Sequence, residues 1–148
     1  MQLKLLLALI TLILQACLLP QAAGPVDPVF SNMRANYDTQ LKANITNIDS
    51  ATAQFDGALT GLTDTQKDTP KYKSLVGRYD AILKQTAAAK QKAEVLLAWA
   101  AQTETTATLQ DRNRLQSEAQ ALNIEFSNLS ATVHQLPSEI NVIQMTSR

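Results

Sequence analysis

The sequence predicts an all-α fold, an elongated antiparallel three-helix bundle that packs like a coiled coil. Three runs of apolar or small residues recur at alternating spacings of three and four, which places each run on one face of a helix. The composition agrees, because aromatic residues make up 5% of the chain and only four residues are glycine. We therefore expect one helical domain over residues 24–148, preceded by a short leader.

The leader, residues 1–23, has the features of a cleaved signal peptide. Lys4 gives a basic start, residues 5–14 are almost all apolar, and the small residues at 22–24 suit cleavage after Ala23. The apolar run is too short to span a bilayer comfortably. The sequence therefore predicts a secreted, extracellular protein whose mature chain begins near residue 24.

A second interpretation of the leader depends on Cys17, the only cysteine. Residues 14–17, Leu-Gln-Ala-Cys, resemble a bacterial lipobox, in which Cys17 would carry a lipid and anchor the protein to the cell envelope. Gln15 is unusual in that motif, and the two leucines after the cysteine do not suit a tether. Ordinary secretion is therefore favoured, and the mature protein then has no disulfide.

The first helix is predicted over residues 28–62. Asp27 can cap its start through a side-chain oxygen, and Pro28 follows where its missing N–H costs nothing. Gly57 and Gly61 weaken its far end. Its predicted inward stripe consists of Phe30, Met33, Tyr37, Leu41, Ile45, Ile48, Thr52, Phe55, Leu59 and Leu62.

The second helix is predicted over residues 70–105, where Thr69 and Pro70 repeat the pattern of cap and proline. Trp99 flanks the inward stripe, and we expect it to cover one side of the core. The stripe consists of Tyr72, Leu75, Tyr79, Ile82, Thr86, Ala89, Ala93, Leu96, Ala100, Thr103 and Ala107. Its small residues favour a narrow contact between helices.

The third helix is predicted over residues 109–136. Thr108 and Asp111 form a capping pair at its start, and Pro137 is expected to end it, which leaves the remaining residues as a short tail. Its stripe consists of Leu115, Ala119, Leu122, Phe126, Leu129, Val133, Leu136 and Ile140. Since these residues follow the shared spacing, this helix should pack against the other two.

The second and third stripes do not share one register. Ala107 and Leu115 are eight residues apart, and one extra residue rotates a helix by about 100°. We therefore predict a tight turn within residues 105–111. The alternative is one long bent helix, whose mismatched faces would need a second chain and would make the protein an elongated dimer.

The charges also favour packing of three helices. Residues 67–94 contain seven basic residues and three acidic ones, while the segments before and after them lean acidic. The same lysines could instead meet an acidic partner. The formal net charge is zero and the basic residues are not interleaved with aromatic ones, so we expect no nucleic-acid partner.

The sequence offers little catalytic equipment. His134 is the only histidine, and we expect it on the surface. One histidine and no cysteine in the mature chain exclude the usual zinc sets and a Cys/His nucleophile pair. We predict no enzyme activity and no catalytic, cofactor-binding or metal-binding residue.

Two sequons make this a candidate glycoprotein: Asn44-Ile45-Thr46 and Asn128-Leu129-Ser130. Asn128 falls on an outward position of its predicted helix. Asn44 borders the inward stripe and should be harder to modify. Asn128 is therefore the better candidate for N-glycosylation.

The functional hypothesis that these features favour is a small secreted, non-enzymatic helical protein that binds another protein or itself. In architecture the plan resembles spectrin-type three-helix modules. The composition is similar to that of exchangeable insect apolipophorins, which implies a lipid carrier as the alternative. A lipid surface favours a wide apolar face, and the narrow stripes favour protein binding. The third hypothesis is the envelope protein anchored at Cys17.

Overall fold

The structure, a computed structural model, describes residues 25–146 and contains three long helices and one short one in that part of the chain. They are α1 (Pro28–Thr60), α2 (Asp64–Lys67), α3 (Pro70–Thr103) and α4 (Leu109–Thr146). The described residues form no strand. The predicted signal peptide and Cys17 lie outside the described residues.

The three long helices form the predicted all-α bundle. α1 and α3 each pack along α4 and contact one another much less. Asp27, before α1, binds Arg112 near the start of α4, so these two helices run in the same direction. α3 runs the opposite way along α4, because the ion pair of Lys92 with Glu125 is followed by that of Arg78 with a later residue, Glu139.

The core consists of the predicted stripes, and the α4 stripe is buried along its whole length. In α3 the eight stripe residues from Leu75 to Ala100 are buried, while Tyr72 and Thr103 are half-buried; Ala107, predicted for the same stripe, is half-buried in the turn after α3. The α1 stripe is less completely buried: Ala51 is buried where Thr52 was predicted, and five stripe residues are half-buried, namely Met33, Tyr37, Ile45, Thr52 and Leu59. The spacing of apolar and small residues therefore predicted most of the buried core.

Two ring contacts join α1 and α3 across the core. The centroids of Phe55 and Tyr79 are 4.6 Å apart, and those of Phe30 and Trp99 are 6.2 Å apart, both with an edge-on arrangement. The Tyr79 hydroxyl donates to the carbonyl oxygen of Thr52 at 3.2 Å. Burial raises the pKa of Tyr79 far above its ordinary value. Trp99 is half-buried, as its position beside the stripe predicted.

All three predicted helix starts are confirmed. The Asp27 carboxylate accepts from the backbone N–H groups of Val29 and Phe30, and the Thr69 hydroxyl accepts from that of Tyr72. At α4, the Thr108 hydroxyl accepts from the Asp111 N–H while the Asp111 carboxylate accepts from the Thr108 N–H. These reciprocal bonds satisfy backbone donors that the first turn of a helix leaves unpaired.

The predicted turn between α3 and α4 is also confirmed. α3 ends at Thr103 and α4 begins at Leu109, so residues 104–108 reverse the chain. The alternative of one bent helix is wrong. The physical reason is that the α3 and α4 stripes are out of register, so both can face the same core only if the chain reverses between them.

The predicted end of the third helix at residue 136 is wrong, since α4 continues through Pro137 to Thr146. A proline inside a helix costs roughly 3 kcal/mol relative to alanine. Beyond it, Ile140 and Ile143 are 3% and 2% exposed. Fully burying such side chains contributes roughly 1.5–3 kcal/mol each, so the apolar spacing outweighs the local signal of the proline.

The chain between α1 and α3 contains two smaller differences from the sequence prediction. α1 ends at Thr60 rather than at residue 62, although Leu62 is buried just beyond it. The short helix α2 was not predicted. Thr63 and Gln66 form a capping box at its start, and this Thr-x-x-Gln pattern is the sequence signal that could have identified it.

Candidate binding groove between α3 and α4

A row of oppositely charged residues runs along the contact between α3 and α4. Arg78 donates two hydrogen bonds to Glu139, and Lys92 contacts both carboxylate oxygens of Glu125 at 3.1 Å. The two basic residues lie two heptads apart on α3, as do the two acidic residues on α4. In antiparallel helices, equal spacing brings both pairs into register at once.

A groove on this face lies where α3 begins and α4 ends. We call it the α3–α4 groove; its volume is about 470 Å³. Its lining residues are Pro70, Lys71, Ser74, Arg78, Glu139, Val142 and Ile143. Pro70, Val142 and Ile143 form the apolar part of this lining, which we call the floor. The ion pair of Arg78 with Glu139 and the side chain of Lys71 belong to its polar part.

Two smaller depressions lie beside Lys92, with volumes of about 230 and 330 Å³. Small side chains leave this space open, among them Ala88 on α3 and Ala121 on α4. Val95, in the second depression, is 63% exposed. The same face of the bundle therefore combines a charged row with uncovered apolar surface.

Three lysines make no ion pair with any carboxylate of residues 25–146: Lys67, Lys71 and Lys84. The other basic side chains of that part of the chain are paired. Lys71 lines the α3–α4 groove, and Lys67 lies four residues before it at the end of α2. Because Glu139 is neutralised by Arg78, the uncompensated charge of the groove lining is positive.

The opposite end of the bundle is closed by polar contacts. Asp27 accepts from Arg112 of α4, and its backbone N–H donates to the carbonyl oxygen of Glu104 at 3.4 Å. The Glu104 carboxylate in turn pairs with Arg34 of α1. Hydrogen bonds from Arg112 are the main reason why the pKa of Asp27 lies below its ordinary value, although partial burial opposes the shift. We call this the clasped end.

Trp99 completes the clasped end. Its ring meets the edge of Phe30 on one side, and the Arg114 guanidinium lies 4.1 Å from its centroid. Such a contact of a cation with an aromatic ring is worth about 0.5–1 kcal/mol at an exposed site. The arrangement gives Trp99 a packing role, as the sequence indicated.

His134 is exposed, in agreement with the sequence prediction, and lines a separate groove of about 280 Å³ between α1 and α4. That groove also contains Asn44 and Ser130, each from one of the two sequons. Neither an acid nor a second histidine lines it. The residues around His134 therefore supply hydrogen-bonding groups without a partner for general acid–base chemistry.

The two sequon asparagines have different environments. Asn128 is exposed, whereas Asn44 is half-buried and its side-chain amide donates to the side-chain oxygen Oδ1 of Asn123 at 2.8 Å. Asn123 in turn donates to Gln40 at 3.0 Å, so three amides link α1 and α4. The predicted difference in accessibility is confirmed, while glycosylation itself stays a prediction.

A metal site and a membrane span each place a requirement on the described residues. Within residues 25–146, no three His, Cys, Asp or Glu side chains lie close enough together to hold a metal ion. In the same range, no helix is both long and apolar enough to cross a membrane. The arrangement on α3 and α4 can bind a complementary surface, through apolar contact and a lysine charge.

The comparisons with known proteins identify no relative for this chain. No protein-family model, no curated protein and no solved structure matches it. Any functional inference therefore depends on the surface itself.

Sequence reasoning did not identify the α3–α4 groove. Val142 and Ile143 were assigned to a tail beyond Pro137, so the α4 side of the groove was missing. The signal that could have identified it is the spacing from Ile140 to Ile143, which continues the α4 stripe. The repeated spacing of Arg78 and Lys92 against Glu125 and Glu139 is the second signal.

Proposed function

We propose that this protein is a small secreted, non-enzymatic helical protein that binds another protein through the α3–α4 groove. The observation that carries the proposal is the groove itself, where an apolar floor lies next to a lysine without an acidic partner. Exposed apolar surface that is rimmed by polar residues is typical of protein-binding sites. α3 and α4 lie side by side, and the groove between them suits an amphipathic helix of a partner, whose apolar face can lie in it.

The inward stripes support protein binding over the lipid-carrier alternative. Each stripe is already covered by the other helices, and alanines make the α3 stripe narrow. A helix that lies on a lipid surface favours a wide apolar face and a basic polar face. Opening this bundle would expose the narrow α3 stripe rather than a wide apolar face.

The binding surface can be tested with an aspartate at Val142, which is 43% exposed and lines the groove. Wild type and Val142→Asp are immobilised and exposed to the fluid in which the protein naturally occurs. Ala43→Asp is the matched control, because Ala43 is an exposed small apolar residue on α1. We expect wild type and the control to retain one defined protein, with at least about tenfold weaker retention by Val142→Asp.

Equal retention by all three proteins, or no retained protein, would contradict the proposed surface. Far-ultraviolet circular dichroism of each variant confirms that the helices are intact. The identity of the retained protein is then established by mass, and its affinity for the purified chain is measured by calorimetry.

The proposed compartment has its own test. We expect the natural protein to begin near residue 24, to contain no cysteine and, where a glycan is attached, to carry it on Asn128. Intact mass measures where the chain begins and hence whether Cys17 is present, and the masses of its proteolytic peptides locate the glycan. A diacylglyceryl group on Cys17 would replace secretion with attachment to an envelope membrane.

A further inference from the structure

Exposed apolar surface continues beyond the α3–α4 groove along the end of α4. Val142 is 43% exposed, and Met145, three residues later on the same helix, is 69% exposed. On a helix, residues three apart are neighbours. The end of α4 therefore presents an apolar edge that continues the groove, and a partner must supply apolar side chains to cover it.

The charge of the groove determines which charged residues of the partner can lie beside its apolar side chains. Lys71 has no acidic partner in the described residues, whereas the charge of Arg78 is satisfied by Glu139. The start of α3 and the end of α4 lie side by side here, and their partial charges of about +0.5 and −0.5 offset each other. The full charge of Lys71 therefore sets the sign, which is positive.

Acidic residues of the same end do not cancel this charge within the groove. Asp56, Asp64 and Asp80 make no ion pair in residues 25–146, but none of them lines the groove. Asp68 is bound to Lys73. A carboxylate beside Lys71 must therefore come from outside the described chain.

From this combination we infer that the groove binds an acidic amphipathic helix of the partner protein. The inference rests on the proposed function and names the chemistry of the partner. Apolar side chains of that helix cover Val142 and the groove floor, while a glutamate or aspartate at their edge pairs with Lys71. An anionic membrane is a poorer match, because attraction to such a membrane usually depends on a cluster of several basic residues.

The test uses two synthetic helix-forming peptides with the same leucine stripe. One carries glutamate beside the leucines and the other carries lysine at the same positions. Binding to the full chain is measured by fluorescence anisotropy of the labelled peptides. Lys71→Glu is compared with Lys84→Glu, the matched control, because Lys84 is an exposed, unpaired lysine of the same helix that lies outside the groove.

We expect the glutamate peptide to bind wild type and Lys84→Glu equally, and to bind Lys71→Glu at least about fivefold more weakly. The lysine peptide should show the reverse preference and bind Lys71→Glu more tightly than wild type. Added salt should weaken the binding of the glutamate peptide to wild type, since the contribution of Lys71 is a surface charge interaction.

Equal binding of both peptides, or equal loss in Lys71→Glu and Lys84→Glu, overturns the inference. Binding of neither peptide also overturns it. So does a result in which the full chain binds phosphatidylglycerol vesicles through Lys71 more tightly than it binds the glutamate peptide. A self-associated dimer that the glutamate peptide does not dissociate also overturns it. If the protein retained through Val142 has no acidic helix, this inference fails while the proposed function stands.

Discussion

The two ends of the bundle differ in how their charges are used. At the clasped end, Asp27, Arg34, Glu104 and Arg112 pair with one another and join α1 and α4 to the chain that leaves α3. At the groove end, the contact of Arg78 with Glu139 joins only α3 and α4, and Lys71 has no acidic partner. Ion pairs therefore join three segments of the chain at the clasped end, where among the buried side-chain atoms of the described residues only the Nε of Arg34 has no hydrogen-bond partner, whereas the groove end has an unpaired lysine.

Exposed apolar residues occur at both ends, so apolar exposure alone does not distinguish them. Val26, Val29 and Leu109 are exposed near the clasped end. None of them lines any of the four grooves described above. The two ends therefore differ in a combination of features, because a groove and an unpaired lysine occur together only at the start of α3 among the four grooves described above, which is why we propose a docking surface there.

The largest effect is expected from Leu96→Asp, in the core that both ends share. Leu96 is 3% exposed, and an unpaired charge at a buried site costs several kcal/mol. Since a domain is typically stable by about 5–15 kcal/mol, we expect the variant to lose its cooperative thermal transition. Circular dichroism measures this. A variant that melts like wild type would show that α3 does not pack as described and would break the comparison of the ends.

The next effect is expected from Pro137→Ala at the groove end. Alanine restores a backbone donor inside α4 and removes a clash, although the unfolded chain gains some freedom. We expect the free energy of unfolding to rise by about 1–2 kcal/mol, measured by urea denaturation. Ser138→Ala, next to the proline, is the control and should change stability less. A loss of stability in Pro137→Ala would show that the proline is required where it is.

Some features of the fold could be predicted from the sequence and others could not. Buried positions and helix starts depend on neighbours within a few residues, such as the capping pair of Thr108 and Asp111, and they were predicted. The end of α4 was not, because the proline is a local signal while the burial of Ile140 and Ile143 depends on the other helices. The groove requires two helices in register, and neither helix alone contains it.

A smaller effect is expected at the clasped end from Asp27→Asn, which keeps a capping side chain but removes the charge. The pKa of Asp27 is lowered in the folded protein, so its stabilising effect is present above the ordinary pKa and is lost as the pH falls through the lowered value. We expect the variant to melt a few degrees below wild type at pH 7. The difference should shrink below about pH 4.

Thermal melts of both proteins from pH 7 to pH 2 check this expectation. Glu139→Gln, which removes the charge of the exposed pair at the groove end, is the matched control and should change the melting temperature less. A larger loss from Glu139→Gln than from Asp27→Asn would reverse the comparison of the two ends.

Amide hydrogen exchange of the unbound protein tests most directly whether one end is closed and the other open. Residues 74–77 and 100–103 lie near opposite ends of the same helix, α3, so helix propensity and fraying affect both. We predict that amides at 100–103, beside the clasp, exchange at least about tenfold more slowly than those at 74–77, because local opening costs more where more contacts must break. Equal rates, or faster exchange at 100–103, would contradict this account.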